Sequence, residues 1–342
     1  MIRDLNRIRE TGTPLVLQSR GSFFVGGERI EQNFVELGSR RPADQVTINQ
    51  MYVEYMVPAG ATLAPVVMIH GAGQSGQSYD TTPDGRMGWY EYFVRRSHPV
   101  FVIDQIGRAR SGFNQAIFNN VKAGLADPGE QPAIVRMGDR FAAWVNFRIG
   151  PEPGIPYADT QFPMEAAEAL SRQGIPDLTA SLPSPNPNHR SLSSLVRQLG
   201  GAVLLGHSQS GAYPLEAALL DPSNINAMVM VEPGQCGADA YSDAEIATLA
   251  TVPLLVLFGD HLATPTYLPG PGWEDRLQEC RRLVERLREA QGRADLIHLP
   301  AQDIHGNSHM IMQDRNNQQI ADIVIDWISD IRQYNASSGR FP

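Results

Sequence analysis

The chain has 342 residues, a net charge of -9, 42% hydrophobic and 19% charged residues. This is a globular composition, sufficient for one large domain or two small ones. It excludes nucleic acid as a partner, because no basic stripe exists to neutralise phosphates, and no run approaches the roughly 18 apolar residues of a membrane span.

The start, MIRDLNRIRE, is polar and shows no legible leader, which leaves a cytoplasmic or a secreted protein open. Early strands are predicted at 22–25 and 45–56, the second alternating in part through Val46, Ile48 and Met51. The pattern then changes to short, continuous apolar runs: PVVMIH (65–70), PVFVID (99–104), GAVLLG (201–206), AMVMVE (227–232), PLLVLF (253–258) and ADLIHL (294–299). Such runs, separated by helical stretches, indicate parallel strands buried on both faces. Helices are predicted over 88–96, 191–199, 211–220, 273–291 and 318–331. The fold class is therefore α/β, with a doubly wound, mostly parallel sheet.

Residues 111–190 break this alternation. They are rich in Pro, Gly and Asn (DPGEQP, RIGPEPGIPY, SLPSPNPNHR), with helix expected only around 136–147 and 163–172. One crossover helix needs far fewer residues, so the excess reads as a cap inserted between strands four and five. Residues 1–110 and 191–342 would then form the core domain. Open α/β sheets bind ligands at the C-terminal strand ends, which is where a cap would matter. Trp89, Tyr90, Trp144 and Phe147 are candidates for shaping its pocket.

The sharpest motif is AVLLGHSQSG, residues 202–211. A buried strand runs into Gly206-His207-Ser208-Gln209-Ser210-Gly211 and a helix follows. A serine on so tight a strand-to-helix turn is exposed as a nucleophile, and small residues on either side let strand and helix approach. Ser208 is the candidate, with Ser210 as the alternative. His207 is adjacent to the nucleophile and reads as a packing residue. Acyl transfer needs two N–H donors for the oxyanion. One is assigned to Gln209, directly after the serine. The other falls in His70-Gly71-Ala72-Gly73, after the PVVMI run, with Ala72 as the donor and Gly73 as runner-up.

Chain order in this architecture runs serine, acid, histidine. The loop AQDIHGNSHMIMQD offers His309 as the base, with His305 second. A metal pair from these two histidines is disfavoured, because Gly306 and Asn307 break any helix that would align them and no HExxH glutamate is present. The usual acid position after the seventh strand is Leu262, which cannot orient an imidazole. Glu232, at the tip of VMVEPG, is therefore preferred over Asp260. Cys236 and Cys280 could form one disulfide, but Cys280 falls on an apolar helical stripe with Trp273, Leu277, Leu283 and Leu287 and reads as a buried core thiol.

The His-Gly loop, DQIGRARSG (104–112), GHSQSG, VEPG and GNSHM together resemble a small group of bacterial and fungal α/β-hydrolase esterases. The resemblance runs over about residues 50–332 and is weakest in the insertion. It implies a triad of Ser208, His309 and Glu232, the glutamate following strand six, and a homodimer. One departure stands out. The bacterial member carries two adjacent cysteines after its His-Gly, where this chain has Ala72-Gly73. The residues thus point to a serine hydrolase of a small-molecule carboxylic ester or lactone, needing no cofactor or metal. Amide or carbon–carbon cleavage would use the same triad. A non-catalytic binding protein would have no need of all three residues.

Overall fold

The computed structural model describes residues 13–38, 42–178, 182, 184–267 and 270–338, with side chains to residue 331. The polar start discussed above lies outside them. One eight-stranded sheet has the order β1-β2-β4-β3-β5-β6-β7-β8. The strands are β1 (Leu17–Gln32), β2 (Asp44–Pro58), β3 (Val66–Ile69), β4 (Val100–Asp104), β5 (Ala202–His207), β6 (Ile225–Val231), β7 (Leu254–Phe258) and β8 (Ala294–His298). The β1–β2 and β2–β4 pairings are antiparallel, and all others are parallel.

The helices are α1 (Trp89–Arg95), α2 (Ala116–Lys122), α3 (Ala167–Gln173), α4 (Pro187–Gln198), α5 (Tyr213–Leu220), α6 (Asp243–Leu249), α7 (Trp273–Glu289) and α8 (Asn317–Ser338). They cover both faces of the sheet. Val67 and Ile69 of β3 join one core with Leu195 of α4, Leu215 of α5, Ile246 of α6 and Leu277 of α7. Val66 and Met68, the alternate residues, join the other with Phe93 of α1 and Val324 of α8. Every residue of β3 is buried, which is why its sequence shows a continuous apolar run and no alternation. Among the described residues no helix is long and apolar enough to cross a membrane.

Several boundaries differ from the sequence reading. β1 extends well beyond 22–25, pairing with β2 from Leu17↔Pro58 to Gln32↔Asp44. Most of its side chains are exposed, so its apolar signal is faint. α4 starts at Pro187, not at 191. Asn186 caps it by accepting the Asn188 N–H, and Pro187 fills the first turn, where a missing N–H is harmless. Residues Ser208–Ala212 form a 3-10 turn before α5 begins. The helix predicted at 136–147 is a π-helical turn, Asp139–Val145. Trp89 and Tyr90 do not shape a pocket above the sheet. Both are buried in the α1–α8 core, and the Trp89 indole donates to the Asn317 carbonyl at 2.8 Å.

The long segment between β4 and β5 lies against loops at the C-terminal strand ends. The Ile175 N–H donates to the Gly73 carbonyl after β3 (2.8 Å). Tyr157 meets Thr264 after β7, and the Gln161 N–H donates to the Gly306 carbonyl after β8 (2.8 Å).

Cys280 is not a free thiol. It forms a disulfide with Cys236, across 44 residues of sequence, and both cysteines are fully buried. The core reading of Cys280 holds for its position, but its partner comes from the loop after β6, which helical spacing does not register. The bond ties that loop to α7. Removing it in a Cys236→Ala/Cys280→Ala variant frees a closed loop in the unfolded chain. The expected loss is about 2–4 kcal/mol in a denaturant titration. An unchanged midpoint would show that the crosslink adds nothing to the core already around it.

Candidate active site

Ser208 sits where β5 ends. Its φ is +58°, a left-handed backbone that a non-glycine residue adopts only when its surroundings impose it. The surroundings are crowded. A Cβ on Gly206 would lie 2.2 Å from the Ser210 carbonyl oxygen, so only glycine fits there. The Gly234 N–H donates to the Ser208 carbonyl at 2.8 Å, holding the bend from the next strand's loop. Gly71 is also tightly placed, since a Cβ there would stand 2.9 Å from the Ser208 Cβ. The turn thus projects the Ser208 hydroxyl away from the sheet.

The Ser208 Oγ lies 2.8 Å from His309 Nε2. His309 Nδ1 lies 2.9 Å from Glu232 Oε2. An ionised carboxylate only accepts, so Nδ1 carries the proton and Nε2 is free to accept from the serine. The imidazole is clamped on all sides. Its backbone N–H donates to the Phe147 carbonyl (2.8 Å), and its carbonyl oxygen lies 2.9 Å from His207 Nε2. The rings of Trp273, His207 and Phe147 lie 4.3, 4.7 and 5.2 Å from its own. Burial pushes His309 down to about 4; Glu232 pulls it up, while Arg148 and Arg276 oppose that pull. The imidazole is therefore neutral at neutral pH.

Glu232 follows β6 and also has a left-handed backbone, φ +51°, immediately before Pro233, where crowding by the ring restricts the backbone further. It is fully buried. Burial alone would raise it, but Arg148 and then His309 outweigh that and hold it at about 2. Arg148 Nη2 lies 2.7 Å from Glu232 Oε2, and both side chains are wholly inaccessible. The Gly259 N–H donates to the other oxygen. Arg148 is itself anchored by donating Nε–H to the Asp260 carbonyl (2.7 Å) and by packing over Trp273. Asp314 organises the loop that carries His309. It accepts from the Ser308 hydroxyl at 2.6 Å and its N–H at 2.8 Å, and burial raises it to about 6.

The remaining sequence candidates are placed as follows. Ser210 is buried, and its hydroxyl donates to the Ile69 carbonyl (2.9 Å). His305 is exposed, and its Nδ1 lies 3.3 Å from Asp260, not from the serine. The carboxylate of Asp260 accepts the His261 and Gly306 N–H groups, and it is the Asp260 backbone that reaches Arg148. Leu262 is a core residue. The Gly73 N–H donates to Asp177 Oδ2 at 3.2 Å. Among the described residues the ligand atoms of Asp159, Asp260 and His261 converge within 4.8 Å.

A solved structure described as a novel bacterial esterase is 43% identical to this chain. The match covers 94% of this chain and 98% of that one, with a TM-score of 0.87. The chain belongs to this family of α/β-hydrolase esterases. A fungal protein named probable secreted lipase phiG, from Fungal sp. (strain ATCC 74256), is 25% identical over 323 residues, covering 81% of this chain and 85% of its own. No protein-family model matches.

The surroundings of this esterase's site include residues that the sequence reading passed over. Arg148 and Asp177 fall outside every motif quoted for the site, while Arg108 lies within DQIGRARSG and Trp273 on the apolar stripe of α7 without either being assigned to the site. For Arg148 the usable signal was WVNFRIG (144–150), where it interrupts an apolar stretch inside a Pro- and Gly-rich segment. Of the four pocket candidates, Phe147 is the one that meets the His309 ring.

Proposed function

We propose that the esterase cleaves its ester through an acyl-enzyme on Ser208. What carries this reading is the unbroken relay from the Ser208 hydroxyl through His309 to a buried, ionised Glu232. As Oγ bonds to the carbonyl carbon, its proton passes to His309 Nε2 and the carbonyl π electrons move onto oxygen. Glu232 holds the imidazolium in orientation. The Gln209 and Ala72 N–H groups receive the oxyanion. Collapse breaks the bond to the alkoxy oxygen, which leaves with the proton from His309. Water, giving its proton to His309, repeats the addition; collapse then breaks the Oγ–acyl bond, the acid departs and Oγ takes the proton back from His309. The substrate is a small-molecule ester, and the segment 111–190 serves as the cap that encloses it.

The reading predicts covalent labelling of Ser208 by a fluorophosphonate, located by peptide mass spectrometry. Labelling needs neutral His309, so its rate should be flat through neutral pH and fall as pH drops through about 4. An adduct on another residue would overturn the nucleophile, and an acid limb centred above about pH 6, near the ordinary histidine value, would contradict the burial of the base.

A further inference from the structure

The structure ties both proposed oxyanion donors to a single buried cation, Arg108. Its side chain is almost wholly inaccessible. Nη2 donates to the side-chain Oε1 of Gln209 at 2.8 Å and lies 2.7 Å from Asp177 Oδ1. Nη1 makes a longer contact, 3.4 Å, with the Gly71 carbonyl. That carbonyl shares a peptide with the Ala72 N–H. In a trans peptide the two point in opposite directions, so fixing the Gly71 oxygen fixes the direction of the Ala72 donor.

Two other groups reinforce the same peptide. His70 Nδ1 lies 2.9 Å from the Gly71 oxygen, while His70 Nε2 accepts the Gln105 N–H at 3.0 Å. That acceptance leaves the ring proton on Nδ1, so His70 donates to the Gly71 oxygen. Asp177 Oδ2 takes the Gly73 N–H (3.2 Å), and the Ile175 N–H donates to the Gly73 carbonyl (2.8 Å). The Ala72 arm is therefore bracketed on both sides, and Arg108 links it to the Gln209 arm. Asp177, which completes the clamp, comes from the long β4–β5 segment.

We infer that Arg108 is a positioning residue: held by Asp177, it sets the Ala72 and Gln209 amides at the spacing that the tetrahedral oxyanion requires. This deepens the acyl-enzyme reading and rests on it. The guanidinium is suited to the task, because its planar fork can hold several acceptors at fixed angles, which an ammonium cannot do. The order of the β4–β5 segment then reaches the oxyanion site through one ion pair.

The test uses Arg108→Lys, which keeps the charge beside Asp177, and Gln209→Met, which removes the Oε1 acceptor but keeps the backbone donor. Gln209→Met should retain the wild-type melting temperature, while Arg108→Lys, which leaves buried acceptors without a donor, should lower it by a few degrees. Both should lose about tenfold to a hundredfold in kcat with little change in KM, since misaligned donors fail mainly in the transition state. Affinity for a trifluoromethyl ketone, which forms a tetrahedral oxyanion adduct on serine, should fall by the same factor. Affinity for the isosteric ether, which lacks the carbonyl oxygen, should not change. Equal weakening of both ligands would mark Arg108 as a structural residue only and overturn the proposal. Wild-type kcat and ketone affinity in both variants, with Ser208→Ala inactive, would overturn the clamp alone. Turnover by Ser208→Ala would overturn the acyl-enzyme reading beneath it.

Discussion

Ser208→Ala should lower kcat for a short p-nitrophenyl ester by about ten-thousandfold to a millionfold while leaving the fold unchanged. The side chain is partly exposed and its hydrogen-bond partner among the described side chains is His309, so its loss removes one hydrogen bond, at the buried His309 Nε2, and little packing. The backbone strain at position 208 is the same for alanine as for serine, and circular dichroism and the melting temperature should not move. What disappears is the atom proposed to form the covalent bond. Residual activity within about tenfold of wild type would place the nucleophile elsewhere, and the buried, engaged Ser210 hydroxyl is poorly placed to supply it. KM is a weak discriminator here, because the proposed donors from Ala72 and Gln209 remain.

Glu232→Gln should reduce kcat by about a thousandfold to ten-thousandfold, whereas Asp260→Asn should change it only a few-fold. The amide that Glu232→Gln introduces is neutral, so it no longer favours the Nδ1–H tautomer or stabilises imidazolium. The same change would leave the Arg148 guanidinium buried without its counter-charge. Removing one partner of a buried pair destabilises by about 3–5 kcal/mol, while replacing both with apolar groups is often neutral. The two effects are therefore separable. Glu232→Gln/Arg148→Met should recover most of the lost stability in a guanidinium titration and none of the lost turnover. If the double variant recovers kcat as well, Glu232 is a structural partner of Arg148 and not the acid. If Asp260→Asn proves the more damaging change, the acid has been misplaced between the two loops.

What was legible in the sequence follows the physics of burial. The strands from β3 to β7 are covered on both faces, so each left an apolar run that periodicity could find. Ser208, Glu232 and His309 were legible because each follows a strand that is itself readable, and the fold delivers strand ends to one edge. β1 was under-read because most of its side chains face solvent and the backbone ladder to β2, not an apolar stripe, holds it in place. Arg148 and Arg108 were missed for a different reason. An arginine gives the same letter whether it is solvated or sealed against a carboxylate, and the partners lie 84 residues away for Arg148–Glu232 and 69 for Arg108–Asp177. The disulfide is a similar case, since one cysteine lies on a helix stripe and the other in a loop, with nothing local to join them. The short π-helical and 3-10 turns between β4 and β5 have no regular apolar spacing to detect.

The sealing of Cys236 and Cys280 has a kinetic consequence. Thiol exchange requires a reductant to reach a sulfur atom, and neither sulfur is accessible while α7 and the loop after β6 remain docked. Dithiothreitol should therefore reduce the bond only through the opened state, at a rate that levels off at the opening rate once reduction outpaces reclosing. While α7 and the loop after β6 stay docked, a reductant in the surrounding solution has no direct path to the bond.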